Sequence, residues 1–151
     1  MLFYTHLTFS FLVGILLSKI INITHPISYF IFILIGTLIP DLDHSNSKLG
    51  NKLKFFSKTI ELLFGRRGLM HTIYLSLLIS GIIYFFLNKE YGLSMFIGYT
   101  SHLILDGFTK EGVNILQPLS NLTLSGFIKT GGVLENIIFI ILVLLIIFLL
   151  I

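Results

Sequence analysis

Five long apolar runs alternate with short polar stretches along this chain. They cover Leu7 to Ile23, interrupted by Lys19; Ile27 to Ile39, preceded by His25-Pro26; Leu69 to Leu87; Gly92 to Leu105; and Val133 to Ile151, entered through Glu135 and Asn136. A helix that crosses a bilayer needs ~20 apolar residues. The second and fourth runs are shorter, roughly 20 Å at the helical rise. Short helices at membrane depth are tolerated where protein or a water-filled cavity covers their ends, which points to an internal polar site. Between the second and third runs, Leu49, Leu53, Phe56, Ile60, Leu63 and Phe64 recur at helical spacing with lysines between them. That pattern predicts a basic amphipathic helix near residues 46–64, lying in the membrane interface. The expected fold is therefore all-α: an integral membrane bundle of about five transmembrane helices, two of them short, plus this interfacial helix.

Composition sharpens the picture. Of 151 residues, 55% are hydrophobic and 11% charged, with a mean hydropathy of +0.98. Soluble domains carry ~25% charged residues, so a soluble domain and a disordered chain are excluded. The formal net charge of +3 reads as lysines at a membrane surface and not as a nucleic-acid patch, so no specific nucleic-acid partner is expected. The absence of cysteine excludes disulfides, thiolate metal sites and cysteine nucleophiles. The N-terminal run lacks a basic leader and a small-residue cleavage site, so it is expected to be a retained helix. No repeat or linker divides the chain, and residues 1–151 are expected to form one domain.

Orientation follows from the basic residues. Residues 44–68 carry Lys48, Lys52, Lys54, Lys58, Arg66 and Arg67 against Glu61, whereas the rest of the chain is net negative. The positive-inside rule puts this loop, and with five spans the N-terminus, on the cytoplasmic side of a plasma (inner) membrane. On that topology His6, Asp41, Asp43, His44, His71, His102, Asp106 and Glu135 all fall at the cytoplasmic helix ends. Only His25 falls at the other end, ahead of a proline suited to open a helix. His102 and Asp106 are four apart and share a helix face. Asp41 and His44 are three apart and share one if the Pro40-Asp-Leu-Asp-His stretch keeps a turn, leaving Asp43 for a neighbouring role. Imidazoles with carboxylates and no thiolate suit Zn²⁺, Mn²⁺ or Fe²⁺. His6, Asp41, His44, His71, His102 and Asp106 are the candidate ligands, and Thr72 and Thr109 candidate supporting hydrogen-bond partners. Gly65-Arg66-Arg67-Gly68 offers two guanidinium groups suited to a phosphate. The rival readings of the same cluster are a proton or ion pathway and a structural metal that clasps helix ends.

The motifs Gly36-Thr-Leu-Ile-Pro40-Asp41-Leu-Asp43-His44, Arg67-Gly68-Leu-Met-His71-Thr72 and Gly98-Tyr-Thr-Ser-His102-Leu-Ile-Leu-Asp106-Gly-Phe-Thr109-Lys-Glu-Gly112-Val, followed by Pro118, resemble the YdjM-like family. His6 and Glu135 fit the same pattern. The resemblance implies a LexA-regulated, membrane-bound, metal-dependent hydrolase, distantly similar to the zinc-dependent phospholipase C and single-strand nuclease superfamily. It implies zinc before manganese or iron. Gly131 stands where a His-x-x-x-Glu pair would need its histidine before Glu135, so one or two ions are expected and not three. In the mechanism so implied, a metal-activated water attacks a phosphoester or phosphodiester of a phospholipid-like substrate, Asp43 or Glu135 acts as general base, and Arg66 and Arg67 hold the phosphate. The alternative function is an ion-coupled transporter or a non-catalytic membrane protein with a structural metal.

Overall fold

The computed structural model describes residues 1–43, 52, 54–64 and 68–151. Six helices carry them: α1 (Phe3–Ser18), α2 (Pro26–Leu38), α3 (Lys54–Phe64), α4 (Ile73–Phe86), α5 (Lys89–Gly107) and α6 (Val133–Leu150). Two 3₁₀ turns, Pro40–Asp43 and Leu69–His71, follow α2 and precede α4. Among the described residues there is no strand; two isolated bridges, Thr109 to Ile128 and Val113 to Leu124, occur in the segment between α5 and α6. The five apolar runs thus appear as α1, α2, α4, α5 and α6. The amphipathic helix expected near 46–64 is seen over Lys54–Phe64, packed on the Pro40–Asp43 turn. Residues 46–51 and 53 lie outside the described residues.

Helix ends follow local chemistry. Pro26 opens α2 at its first position, where a missing N–H costs nothing. Thr72 caps α4 by accepting from Leu75 N, and Asn88 caps α5 by accepting from Glu90 N at 2.8 Å. At the end of α5 that begins the helix, Glu90 accepts from the backbone amides of Thr24 and His25 and from the Thr24 hydroxyl. This ties the α1–α2 turn down, and His25 sits there, far along the bundle from the other histidines.

α5 is the central helix and packs against α1, α2 and α4, while α6 packs on α1. Close approach of α2 and α5 rests on two glycines. A Cβ at Gly98 would overlap the Ile33 carbonyl, and one at Gly36 the Met95 carbonyl. Small residues that let backbones approach are how helices associate where lipid removes the hydrophobic drive. Tyr99, Leu103 and Val113 form the apolar core with Ile39, Ile79 and Ile115 against it. The outer faces are apolar too: Leu77, Phe85 and Phe86 on α4 and Ile140, Leu144 and Phe148 on α6 are exposed.

Among the described residues, two stretches, Pro26–Asp43 and Val133–Leu150, are helical, long and apolar enough to cross a membrane. α1 and α4 are apolar but shorter. The short fourth run, Gly92 to Leu105, lies inside the longer α5, which buries serines, a histidine and an aspartate among its apolar side chains.

Candidate metal centre

One end of the bundle gathers the ionisable groups. His6 lies near the start of α1, Asp43 ends the turn after α2, and His71 ends the turn before α4. His102 and Asp106 occupy the last turns of α5, and Glu135 the first turn of α6. All six are buried.

Asp106 is the hub. Its Oδ1 lies 3.2 Å from His6 Nε2, and its Oδ2 lies 3.4 Å from His71 Nε2 and 3.6 Å from His102 Nε2. The His6 and His102 rings stack in parallel with centroids 3.8 Å apart, and His71 meets His102 edge-on at 5.5 Å. Ligand atoms from His6, His102 and Asp106 all fall within 4.8 Å of one another. Two stacked imidazoles cannot both carry a proton cheaply, since like charges this close repel. A shared cation replaces that repulsion with two bonds.

The ring nitrogens are arranged for ligation. His102 Nδ1 lies 2.8 Å from the Thr37 carbonyl, which can only accept, so Nδ1 carries the proton and Nε2 presents its lone pair. That Nε2 is buried and has no hydrogen-bond partner. A metal-binding histidine is held in this way, with its other nitrogen donating to a carbonyl or carboxylate. His71 repeats the device: Nδ1 lies 3.0 Å from Asp43 Oδ2 while Nε2 faces Asp106. His71 stands on a turn outside the helices. Burial by itself lowers the basicity of its ring, but hydrogen bonds to the Asp106 and Asp43 carboxylates outweigh this and push its pKa up to about 9. Buried groups left without partners are costly, and His102 Nε2, His6 Nδ1 and Asp43 Oδ1 are three of them in one place. An ion at this point fits the donor set of two imidazoles and a carboxylate, His6, His102 and Asp106, with His71 beside it on the far oxygen of Asp106.

Of the expected ligands, His6, His71, His102 and Asp106 come together. From the turn after α2, Asp43 meets the imidazole of His71 through Oδ2, and it is buried with Pro40, three residues before it on the same 3₁₀ turn. Asp41 is half-buried on the same turn. His44, Arg66 and Arg67 lie outside the described residues. Glu135 has both oxygens on backbone amides: Oε1 accepts from Leu2 N at 2.5 Å and Oε2 from Gly131 N at 2.6 Å. It clasps the start of α1 to the start of α6, a position of its helix from which a carboxylate reaches back to free amides. Thr72 caps α4, and Thr109 donates to the Asp106 carbonyl at 2.7 Å, holding the last turn of α5. Sequence reading missed three participants. They are the Thr37 carbonyl, the Tyr99 hydroxyl, which donates to the Met70 carbonyl at 2.5 Å and braces the turn bearing His71, and the Met1 amine, 2.9 Å from Asp106 Oδ1. A backbone atom leaves no mark in a sequence; the spacing of Tyr99 three residues before His102 is the one signal available.

The sequence matches the YdjM inner membrane protein family along residues 1–151. The chain belongs to that family. Among relatives, the Bacillus subtilis (strain 168) protein YvsG is 34% identical over 106 residues, 69% of this chain and 66% of that protein. Inner membrane protein YdjM of Escherichia coli (strain K12) is 36% identical over 87 residues, 54% of this chain and 44% of that protein, and the Shigella flexneri protein of the same name matches equally. The chain thus spans just under two thirds of YvsG and less than half of the YdjM proteins. No solved structure matches it. The matching family and the Escherichia coli and Shigella flexneri relatives are named inner membrane proteins, and the length and apolar character of α6 fit a membrane setting.

Proposed function

We propose that this chain is a membrane-bound, metal-dependent hydrolase that acts on a phosphoester or phosphodiester of a phospholipid-like substrate at the cytoplasmic face. All five apolar helices cross the bilayer in this reading, with the His/Asp cluster at the cytoplasmic boundary, where the basic residues 44–68 concentrate. The observation that carries it is His102: one nitrogen tied to the Thr37 carbonyl, the other buried without a partner and facing Asp106 beside the stacked His6 ring.

His6, His71, His102 and Asp106 would hold one divalent ion, zinc foremost, with manganese or iron as alternatives; a second ion would draw on Asp41 or His44. A bound ion of this kind polarises the scissile group and lowers the pKa of its water towards ~7. The protein's own groups do the rest. Asp43 orients His71 through Oδ2, and its buried Oδ1 is the acceptor for a proton leaving the attacking water. In this reading Asp43 is the base and Glu135, which holds a backbone amide on each oxygen, is a clasp. Arg66 and Arg67 directly precede Gly68 and the turn that bears His71, and take the phosphate charge. A helix-end site in a membrane protein meets headgroups before it meets soluble metabolites, which favours a lipid phosphodiester.

The test is a hydrolysis screen with metal-loaded protein in vesicles of defined phospholipids, with Asp106→Ala alongside. The reading expects release of a phosphorylated headgroup or free phosphate from at least one lipid, absent in the variant. A protein that binds its ion stoichiometrically yet turns over none of the lipids overturns the hydrolase reading and leaves the metal centre standing.

A further inference from the structure

Residues 108–132, between α5 and α6, are non-helical yet display large apolar side chains. Leu116, Leu119, Leu122, Leu124 and Phe127 are exposed, Leu119 by 80% and Phe127 by 71%. A contiguous exposed apolar patch on a connecting segment marks an interaction surface. Three observations say what covers this one.

First, the patch is continuous with lipid-facing helix surfaces. Leu119 and Pro118 share an apolar groove of about 340 Å³ with Tyr74, Leu75 and Leu78 of α4. Leu124 and Phe127 share another, of about 470 Å³, with Leu103 and Ile104 of α5. The segment then runs into α6, a span-length apolar helix whose first residues, Val133 and Leu134, are exposed. Second, the base of the segment is paired within itself, the arrangement non-helical chain needs where water is scarce. Val113 and Leu124 exchange both bonds at 2.9 Å. Gly126 N donates to Thr109 O, Ile128 N to Phe108 O, Lys110 N to Ile128 O, and Ser120 N to Leu116 O. The Ile115 carbonyl accepts from Ile73 N, fixing the segment to the start of α4. Third, the polarity is graded. Lys110 and Lys129, brought together by the Lys110–Ile128 bond, are exposed at the base of the segment, beside Glu111 and Thr130, which bond to each other. Large apolar side chains towards the tip, interleaved with exposed Asn121, Thr123 and Ser125, with lysines behind them match the order of acyl boundary and headgroups in a leaflet.

We propose that the tip of this segment, residues 116–127, is immersed in the leaflet at the end of the bundle that carries the His/Asp cluster, with its leucines and Phe127 in the acyl boundary and Lys110 and Lys129 at headgroup level. The occupant of both grooves is the acyl chain of a surrounding lipid. The inference stands whether or not the chain is a hydrolase.

The chain contains no tryptophan, so a single introduced one reports without background. Leu119→Trp and Phe127→Trp, each reconstituted in phosphatidylethanolamine/phosphatidylglycerol vesicles, are read against brominated acyl chains and aqueous iodide, with Phe148→Trp on α6 as the lipid-facing standard. The proposal expects blue-shifted emission, quenching by brominated lipid as deep as for Phe148→Trp, and shielding from iodide. Iodide quenching without bromine quenching puts the segment in water and overturns it. Protection from both quenchers, varying with protein-to-lipid ratio, means that a second copy covers the patch and overturns it as well. Should either tryptophan variant fail to fold, Leu119→Cys in this cysteine-free chain gives the same answer. A water-soluble maleimide should label it in unfolding detergent and spare it in open membrane sheets, and full labelling in the sheets contradicts immersion.

Discussion

Glu135→Ala tests whether the buried carboxylate of α6 is a clasp or a catalytic base. In the native protein its two oxygens accept from Leu2 N and Gly131 N, both bonds partly buried. A hydrogen bond to a charged group contributes about 1.5–3 kcal/mol, and partial access to water places these at the low end. Two such bonds at about 1.5 kcal/mol give about 3 kcal/mol together. The carboxylate also sits in the first turn of α6, where negative charge meets the helix's positive end. For a chain of this size 1 kcal/mol moves the melting midpoint by about 2–4 °C, so Glu135→Ala should melt about 6–12 °C lower. Glu135→Gln keeps one acceptor and should lose about half of that. The assay is thermal unfolding in one detergent, followed by circular dichroism, with bound metal measured in parallel. Melting unchanged from wild type in both variants, with activity abolished in both, would refute the clasp and return Glu135 to the reacting centre.

The same geometry makes three further predictions. Asp43→Asn removes the carboxylate that orients His71 and should weaken metal binding about 10–100-fold without moving any direct ligand, measured by competition with a chromophoric chelator. Because the His71 pKa is raised to about 9, the ring is protonated at neutral pH without metal and an ion must displace that proton, so apparent affinity should climb as pH rises and level off near pH 9; a pH-independent affinity between 6 and 8 contradicts this role for His71. Gly98→Ala forces α2 away from α5 and should cost about 1–3 kcal/mol in unfolding experiments, whereas Gly81→Ala, with nothing within 4 Å of the new methyl, should be neutral or stabilise by about 0.5–1 kcal/mol.

Much of this arrangement was legible in the residues alone. Apolar runs located α1, α2, α4, α5 and α6, because each run is long enough for several helical turns and is bounded by polar or turn-forming residues. The four-residue spacing of His102 and Asp106 put them on one face, and counting helix ends brought in His6 and His71. The finer assignments depended on local geometry that residue type does not encode. Pro40-Asp-Leu-Asp reads equally as an α-turn or a 3₁₀ turn, so the pairing of Asp43 with His71 could not be read from the residues. Glu135 looks like any polar residue ahead of a span until the positive-φ backbone of Gly131 turns its amide onto the carboxylate. The anchor of His102 is the Thr37 carbonyl, a backbone atom, and reaches it only because Gly36 and Gly98 let two helices touch. The immersed segment was hidden for a related reason: its leucines are spaced irregularly, without the helical or strand period that marks a regular element.

The central claim is that four buried side chains prepare a cation site. Metal analysis by mass spectrometry of protein purified in detergent without added chelator tests it most directly, for wild type, His102→Ala and Asp106→Ala with matching circular dichroism spectra. The account predicts at least one divalent transition metal per wild-type chain and its loss from both variants. Wild-type protein that is folded and carries no stoichiometric metal, even after incubation with zinc, manganese or iron, would contradict it.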